Sequence, residues 1–399
     1  MTIALSERKT SATGLRCHRC ANTWSTLPGV SRPPLMCTCG GALLQEYDLS
    51  PISAEERDGL ASRPFNLWRY QRWLPVADEA HIVTLGEGGT PLVPLRKLGP
   101  AIGLSDVWIK DEGRNPTGTF KARGASVAVS RLVELGYRKL AMPTVGSGGS
   151  AWSAYASRAG IQILVGLPDQ DLPVLGSLES AAYGAQVRRV PGRLAEAFPR
   201  FKQESIDQGA TPVGAFQEPY RLEGEKTIGY EIADQFGWSA PDWIIWPTGG
   251  AVGLVGLAKA FLELEALGLL KGKRPGLVPV QVQGCSPLVD ALQSGKERCD
   301  YQAAILESIA PGITVSNQAF DDLILPMIRQ LPVQGATADE SAIRHFMTEV
   351  ARSEGLLISP EGAAAVAAAA QLREGGLISE TDSVVIVNTA TGLRYPHLL

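Results

Sequence analysis

The sequence has little of several features that mark specialised classes of protein. Its 399 residues contain no run of about 18 uninterrupted apolar residues, the length that a membrane-spanning helix needs. The 37 basic and 41 acidic side chains leave a formal net charge of −4, so no broad basic field favours nucleic-acid binding. Six cysteines are too few for a disulfide-stabilised scaffold of this length. We therefore expect neither a membrane partner nor a nucleic-acid partner.

The beginning of the chain also lacks the features of a secretory signal. Residues 1–9 are polar, they include Glu7, Arg8 and Lys9, and no apolar run follows them. Hydrophobic residues make up 45% and charged residues 20% of the sequence, which is the balance of a globular protein. The length predicts two domains of ordinary size. The default expectation is a cytoplasmic enzyme.

The cysteines are concentrated near the N-terminus, where they form two close pairs. The first pair, Cys17 and Cys20, lies in C-H-R-C, and the second, Cys37 and Cys39, lies in C-T-C-G-G. Two such pairs at turns can place four thiolates around a zinc ion. The C-x-C spacing of the second pair is tighter than the usual C-x-x-C. We predict a zinc-ribbon-like segment over residues 1–48, with or without bound metal, and the alternative is a set of unrelated thiols.

After a connector at residues 49–83, short apolar runs alternate with longer amphipathic ones. The apolar runs predict strands at residues 107–110, 139–142, 161–167, 243–246, 278–282 and 384–387. The amphipathic runs predict helices at residues 122–136, 151–160, 179–184, 254–270 and 363–372. Strands that are apolar throughout, separated by amphipathic helices, are typical of buried parallel sheets with crossover helices. The predicted fold class is α/β.

The strongest local motif is N-P-T-G-T-F-K-A-R-G at residues 115–124. It follows a predicted strand and leads into a helix that begins near Lys121. The positive end of a helix dipole disfavours a cation, so it lowers the pKa of a lysine there and favours the neutral, nucleophilic amine. The alternative is a solvated lysine in a first helical turn. The rigid Pro-Thr-Gly approach and the flanking Phe120 favour a fixed position for Lys121.

A second motif, T-G-G-A-V-G at residues 248–253, connects a predicted strand to a predicted helix. Backbone amides in such a glycine-rich turn, together with the helix dipole, bind anions. Taken alone the motif is weak evidence, because tight turns use glycine for other reasons. In a chain that also has the Lys121 motif, it predicts a phosphate site. The residues of that site are Gly249, Gly250, Ala251, Val252 and Gly253.

Together these motifs resemble those of the fold-type-II pyridoxal-phosphate enzymes, and most closely those of the threonine synthase family. That family also has an N-terminal cysteine ribbon. Three further family motifs recur here in order, G-E-G-G-T-P-L at residues 86–92, P-T-G-G-A-V-G at 247–253 and N-T-A-T-G-L-R-Y at 388–395. The resemblance covers nearly the whole chain. It implies a two-domain, tryptophan synthase β-like α/β fold with pyridoxal 5′-phosphate in the cleft between the domains, and a homodimer.

The resemblance also implies where the domains and the site residues lie. The large cofactor-binding domain spans residues 49–123 and 214–399, and a small α/β domain at 124–213 carries the substrate loop. Lys121 holds the cofactor as a Schiff base and then acts as general base, while Phe120, Ser147 and the glycine loop contact the cofactor. Thr389 faces the pyridine nitrogen, where a hydroxyl suits elimination better than transamination. The implied substrate-binding residues are Thr90, Gly146, Ser147, Gly148, Gly149, Ser150, Arg123 and Arg221.

Two departures from the family pattern bear on the reaction. Ser147 stands where the family usually has an asparagine, and Ala215 and Phe216 stand where some members have small polar contacts to the substrate phosphate. The arginines at 123 and 221 have structural ion pairs as their alternative role. The predicted reaction converts O-phosphohomoserine and water to threonine and phosphate. The alternatives are β-elimination or β-replacement on serine, threonine or an O-activated analogue, and, in a different class, a catalytically inactive binding or regulatory relative.

Overall fold

A computed structural model gives the structure of the chain, and it describes residues 9–26, 32–144, 146–169, 174–192, 194–302 and 308–399. The expectation that no signal peptide is present rests on residues 1–9 and falls almost entirely outside the described residues. The strands are β1 Ala12–Cys17, β2 Thr23–Ser25, β3 Leu43–Tyr47, β4 Leu92–Pro94, β5 Asp106–Asp111, β6 Lys139–Pro143, β7 Gln162–Pro168, β8 Gln186–Val190, β9 Thr211–Pro212, β10 Trp243–Pro247, β11 Gly276–Val282, β12 Ala336–Ala338 and β13 Ser383–Asn388. The helices are α1 Ala54–Ala61, α2 Leu98–Ala101, α3 Lys121–Glu134, α4 Ser147–Arg158, α5 Val174–Ala182, α6 Leu194–Asp207, α7 Arg221–Glu225, α8 Thr227–Gln235, α9 Val252–Ala266, α10 Pro287–Gln293, α11 Asp321–Ile328, α12 Glu340–Glu354 and α13 Pro360–Glu374.

The chain forms two compact units. The first unit consists of Met1–Leu49, Leu60–Gly88 and Asn115–Glu225, and the second consists of Ser50–Gly59, Gly89–Arg114 and Lys226–Leu399. The predicted domain boundaries near residues 49, 124 and 214 differ from this division, most clearly because the cysteine-rich segment groups with the first unit. Those boundaries stay a prediction.

The first unit is built on a parallel sheet of four strands in the order β8-β7-β6-β9. Strands β6 and β7 are apolar because helices cover both faces of the sheet. The cysteine-rich segment forms a separate antiparallel sheet in the order β2-β1-β3. Leu15 and Leu43 of that sheet join the same hydrophobic cluster as Val129 and Leu132 of α3. Burial against α3 therefore holds the cysteine-rich sheet in place.

The second unit is built on a six-stranded sheet in the order β12-β11-β10-β13-β5-β4, in which only the β4–β5 pair is antiparallel. Helix α13 packs its alanine-rich segment, residues 363–369, into the core beside Ile245, Val280 and Ile386. Small side chains let this helix approach the sheet closely. The motif S-P-E-G at residues 359–362 predicts a helix start, with Ser359 as the N-cap and Pro360 at the first position. The structure agrees, since Ser359 Oγ accepts a hydrogen bond from Gly362 N at 3.1 Å.

The predicted α/β class is confirmed, and each predicted strand coincides with an observed one to within one or two residues. Among the described residues, no helix is both long enough and apolar enough to span a membrane.

Candidate active site

Lys121 is the first residue of α3, and a strained turn leads into it. Thr117 adopts φ 66° and ψ 6°, a left-handed conformation that is costly for a β-branched residue, and Gly118 follows with φ 68°. Strain of this kind persists where surrounding structure enforces it, and it concentrates at functional sites. The turn brings Lys121 Nζ to 3.9 Å from the centroid of the Phe120 ring. The structure therefore brings together the predicted Schiff-base lysine and the predicted Phe120 contact.

The surroundings of Lys121 lower the pKa of its amine, chiefly through burial. Burial lowers the pKa of Lys121, and the nearby Arg221 guanidinium lowers it further, while the Glu225 carboxylate opposes both effects. Glu225 Oε1 lies 3.5 Å from Lys121 Nζ. The direction of the shift agrees with the sequence argument, but its leading cause is burial, whereas the sequence argument relied on the helix terminus. Sequence reasoning missed Glu225, although it lies four residues after the predicted Arg221.

Arg221 is buried and is held by three neighbours of different kinds. Its Nε donates to Glu218 Oε1 at 3.1 Å, its guanidinium carbon lies 4.9 Å from the centre of the Trp152 ring, and its Nη2 lies 3.4 Å from Met142 Sδ. Burial raises the pKa of Glu218, and the charge of Arg221 opposes that rise. Much of the positive charge of Arg221 is thus balanced by a carboxylate three residues earlier. A substrate phosphate at Arg221 has to compete with Glu218.

Arg123, the other predicted arginine contact to substrate, is the third residue of α3 and is completely buried. Its charge lies near the Tyr155 phenol, where burial raises the pKa of Tyr155 and the cation opposes that rise. Tyr155 donates to Glu87 at 2.6 Å, and Glu87 also accepts hydrogen bonds from Ser126 and Trp68 at 2.5 and 2.9 Å. Arg123 therefore lies next to a buried polar network that connects α3 with α4.

The predicted substrate loop follows β6 and leads into α4, which begins at Ser147. Thr144 Oγ1 accepts hydrogen bonds from Gly146 N at 3.1 Å and Gly149 N at 3.2 Å, so two of the predicted anion-binding amides already have a partner within the loop. A side chain on Gly149 would place its Cβ 2.7 Å from Thr144, which explains the glycine there. Ser147 and Gly148 are half-buried at the start of α4. Their amides lie in the first turn, the part of a helix that binds anions.

Ser150, another residue of the predicted substrate loop, contacts the neighbouring helix α5. Its hydroxyl donates to Glu179 Oε2 at 2.6 Å, and the side chain is fully buried. This hydrogen bond connects α4 to α5 beneath the loop. The hydroxyl of Ser150 therefore supports the loop, and a contact of Ser150 with substrate stays a prediction.

The predicted phosphate loop lies in the second unit, between β10 and α9. Ala251 adopts φ 60°, a second left-handed position in a non-glycine residue, immediately before α9 begins at Val252. A Cβ built on Gly249 would lie 2.1 Å from the Gly312 carbonyl oxygen, so only glycine fits. Gly250 is exposed, and Gly253 is in the first turn of a 15-residue helix. The geometry is that of an anion-binding helix N-terminus.

Thr389 lies at the same edge of the second unit's sheet as the glycine loop. It directly follows β13, and β13 pairs in parallel with β10, which leads into the loop. Ligands in open α/β sheets bind beyond the carboxyl ends of the strands. Behind Thr389, Asn388 Nδ2 donates to Asp111 Oδ1 at 2.8 Å, which joins the ends of β13 and β5. The second unit thus brings Thr389 and the loop to one edge.

Glu361 is a buried residue to which the sequence argument gave no catalytic role. It accepts hydrogen bonds from Tyr395 Oη at 2.9 Å and from Gly312 N at 3.0 Å. Burial raises the pKa of Glu361. Because the Gly312 carbonyl fills the space beside Gly249, Glu361 supports the glycine loop from behind. Nothing in the S-P-E-G motif indicates this contact, which depends on a segment 49 residues away.

Thr90 is also in the second unit, where buried charges fix its position. Its Oγ1 donates to Glu112 Oε1 at 2.6 Å, and its carbonyl accepts from Lys110 Nζ at 2.8 Å. Lys110 also contacts Glu231 Oε2 at 2.8 Å, and both side chains are fully buried. The segment that leads into β4 is therefore anchored by the Lys110–Glu231 ion pair.

The four N-terminal cysteines form a cluster. Their sulfur atoms all lie within 4.8 Å of one another, and Cys17–Cys39 and Cys20–Cys37 are each separated by 3.5 Å. Tetrahedral zinc with ligands at about 2.3 Å separates its sulfurs by about 3.8 Å. A hydrogen bond from the Cys39 backbone N–H lowers the pKa of Cys37 to about 7. The predicted cysteine pairs therefore form a four-thiol cluster with the dimensions of a zinc site.

Comparison with known proteins agrees with this arrangement. The family model described as "Pyridoxal-phosphate dependent enzyme" matches residues 83–390. Threonine synthase from Methanocaldococcus jannaschii is 33% identical over 384 residues, 96% of this chain and 93% of the relative, and threonine synthase from Methanosarcina acetivorans is 31% identical over 386 residues, 96% and 92%. The processed form of threonine deaminase isoform 2 from Solanum lycopersicum has a similar fold at 17% identity, with a TM-score of 0.66 over 92% of this chain and 95% of that one.

The match to the family model covers most of the chain and includes the Lys121 motif, the glycine loop and Thr389. The two archaeal relatives extend the likeness over the N-terminal segment as well. The resemblance seen in the sequence motifs is therefore confirmed. This chain belongs to the family of pyridoxal-phosphate dependent enzymes, and within that family it is threonine synthase-like.

Proposed function

We propose that this chain is a threonine synthase, which converts O-phosphohomoserine and water to threonine and phosphate. The observation that carries the proposal is Lys121, a partly buried lysine with a lowered pKa at the start of α3, in a chain 33% identical to a threonine synthase over 96% of its length. A neutral amine at that position is the nucleophile that the cofactor's aldehyde requires.

Each unit, taken by itself, contains residues whose chemistry suits one part of pyridoxal phosphate. In the proposal, Lys121 would hold the cofactor covalently, the amides of residues 249–253 at the start of α9 would bind its phosphate, and Thr389 would face its ring nitrogen. Ser147 takes the place of the family asparagine at the 3′-oxygen, with a shorter side chain that has one donor. When bound, the cofactor supplies an electron sink for the substrate carbanion.

The side chains of the protein then move protons and hold the substrate. The amine of Lys121 would take the proton from the substrate's Cα and return it at a later carbon. The amides of Ser147 and Gly148 at the start of α4 bind the substrate carboxylate, and Arg221 faces the leaving group. Thr90 is also a proposed substrate-binding residue, and its contacts with Glu112 and Lys110 fix its position.

The Glu218–Arg221 pair favours a second candidate reaction. A carboxylate that balances Arg221, with Ala215 and Phe216 in place of polar contacts, weakens a site for a phosphate dianion. A neutral or less charged leaving group suits such a site better. The alternative is therefore β-elimination or β-replacement on serine, threonine or an O-activated analogue.

Product analysis separates these reactions. The purified protein, loaded with pyridoxal phosphate, is offered O-phospho-L-homoserine, L-serine and L-threonine in parallel, and phosphate, threonine and keto acids are measured. Threonine with equimolar phosphate from the first substrate supports threonine synthase. Pyruvate or 2-oxobutyrate from the other two, without turnover of the first, supports β-elimination. An inactive, cofactor-free protein would contradict both reactions and favour a binding or regulatory role.

We also propose that the four-cysteine cluster binds one structural zinc ion and that the enzyme is a homodimer. Sulfur spacing supports the zinc site, and the family resemblance supports the dimer. Metal analysis after purification without chelators tests the first, with one zinc per chain expected and less than about 0.1 contradicting it. Light scattering coupled to gel filtration tests the second, for which a mass near twice 42.5 kDa is expected.

A further inference from the structure

Glu225 has a carboxylate in an unusual position for a residue that only stabilises the fold. It is the last residue of α7, its side chain is 1% exposed, and its Oε1 lies 3.5 Å from Lys121 Nζ. Within the described part of the chain, its Oε2 is buried and makes no hydrogen bond. A buried carboxylate oxygen without a donor is costly, and such groups are rare unless they serve a function.

The backbone is built to bring this carboxylate to the lysine. A Cβ on Gly224 would lie 2.1 Å from the Arg123 carbonyl oxygen, and a Cβ on Gly124 would lie 3.1 Å from Glu225 Oε1. Glycine at both positions lets α7 approach the first turn of α3 closely. The close approach places Glu225 beside Lys121.

The charged groups around Lys121 in the first unit are few. Glu225 and Arg221 act on it directly, and Glu218 balances Arg221. The Phe120 ring covers one side of Nζ. Glu225 is therefore the carboxylate that faces Nζ directly.

We propose that Glu225 is a further catalytic residue, the counter-ion of the Lys121 ammonium that forms when the lysine takes up the substrate's Cα proton. This inference rests on the proposed role of Lys121. In that step the Cα–H bond breaks, an N–H bond forms at Nζ, and the carbon's electron pair passes to the cofactor. Glu225 exchanges no proton in this step, and its Oε2 accepts a hydrogen bond from the new ammonium. The neighbouring carboxylate makes the proton transfer to Lys121 more favourable.

The first test needs no cofactor. In cofactor-free protein, the pH dependence of Lys121 acetylation by trace acetic anhydride, followed by peptide mass spectrometry, gives the pKa of Lys121, with exposed Lys202 as the reference amine. Removing an opposite charge within 4 Å lowers an amine pKa by about 1 to 3 units, so Glu225→Gln shifts the Lys121 profile to lower pH by that amount. The matched control is Glu204→Gln, the same change at an exposed position of α6, which leaves the profile in place.

An unchanged Lys121 profile in Glu225→Gln, or a shift to higher pH, overturns the proposal. Circular dichroism confirms that the variant is folded. If it is not, Glu225→Asp keeps the charge but withdraws it by one methylene, and a smaller shift in the same direction is expected. No shift in a folded Asp variant, when the Gln variant does not fold, also overturns the proposal.

The second test separates this inference from the assignment of Lys121. Borohydride reduction of the loaded wild-type protein, followed by peptide mapping, shows whether the cofactor is attached to Lys121. With that established, Glu225→Gln lowers kcat on O-phospho-L-homoserine about tenfold or more while KM changes little, and Cα deuteration slows the variant more than the wild type. A purely structural role predicts no increase in the isotope effect. Loss of the reduced adduct on Lys121 would sink the proposed function, whereas an unchanged isotope effect sinks only the role of Glu225.

Discussion

Replacing Lys110 with methionine tests how strongly the second unit depends on its buried ion pair. Lys110 Nζ contacts Glu231 Oε2, Gln235 Oε1 and the Thr90 carbonyl, each at 2.8 Å. Glu231 Oε1 in turn accepts a hydrogen bond from Gly89 N at 2.8 Å. The substitution therefore takes the Lys110 ammonium away from a fully buried carboxylate.

The expected cost follows from this uncompensated charge. Removing one partner of a buried ion pair destabilises a protein by about 3–5 kcal/mol, because the remaining charge loses its counter-ion without regaining water. The double variant Lys110→Met/Glu231→Leu removes that charge as well. What remains is that Gly89 N and Gln235 Oε1, both half-buried, each lose a hydrogen-bond partner, while the Thr90 carbonyl keeps Gln235 Nε2 as a donor at 3.1 Å. The net loss is about 0.5–1.5 kcal/mol per hydrogen bond. The double variant should therefore be more stable than the single one.

Urea denaturation of the cofactor-free protein, followed by tryptophan fluorescence and circular dichroism, measures these differences. Lys271→Met is the matched control, because Lys271 is exposed and its removal should cost less than about 0.5 kcal/mol. A Lys110→Met variant as stable as the control would refute the reasoning. A double variant less stable than Lys110→Met would show that the hydrogen bonds of Glu231, and not its charge, dominate.

Three further outcomes follow from the packing and titration of single residues. Gly249→Ala would place a Cβ 2.1 Å from a backbone carbonyl, so the Kd for pyridoxal phosphate in a fluorescence titration should rise about tenfold or more. Gly41→Ala would place a Cβ 2.6 Å from Cys17 Sγ, so bound zinc should fall below that of the control Gly59→Ala, whose Cβ meets nothing. Because burial raises the pKa of Glu361, its contribution to stability is complete below about pH 4 and is lost as the pH rises through the folded-state pKa. The stability of wild type relative to Glu361→Gln should therefore fall as the pH rises above about 4 in denaturation experiments, and a constant difference would contradict the pKa shift.

The sequence was informative where a short segment determines its own structure. The strand at 243–246 is apolar throughout because the sheet is covered on both faces, and that pattern alone predicts it. The start of α13 was predicted because Ser359 caps a helix three residues away. Lys121 was also predicted at a helix start from its local sequence, because the Pro-Thr-Gly segment just before it favours a turn.

The contacts that the sequence did not predict join segments far apart along the chain. Glu225 meets Lys121 across 104 residues, and the approach depends on Gly124 and Gly224 opposing each other. Glu361 reaches Gly312 through packing that no local pattern encodes. The partner of Arg221 is different, because Glu218 is only three residues away. The sequence shows this i,i+3 spacing but not that both side chains are buried, and burial is what makes the ion pair matter for the charge of the site.

The most direct test of the central claim is where the cofactor attaches and what the loaded enzyme then does. Wild-type protein and Lys121→Ala are incubated with pyridoxal phosphate, reduced with borohydride and mapped by mass spectrometry, and unreduced samples are assayed with O-phospho-L-homoserine. We expect the reduced adduct on Lys121 in the wild type, together with equimolar threonine and phosphate, and neither the adduct nor the products from Lys121→Ala. An adduct on another lysine, or undiminished turnover by Lys121→Ala, would contradict the account.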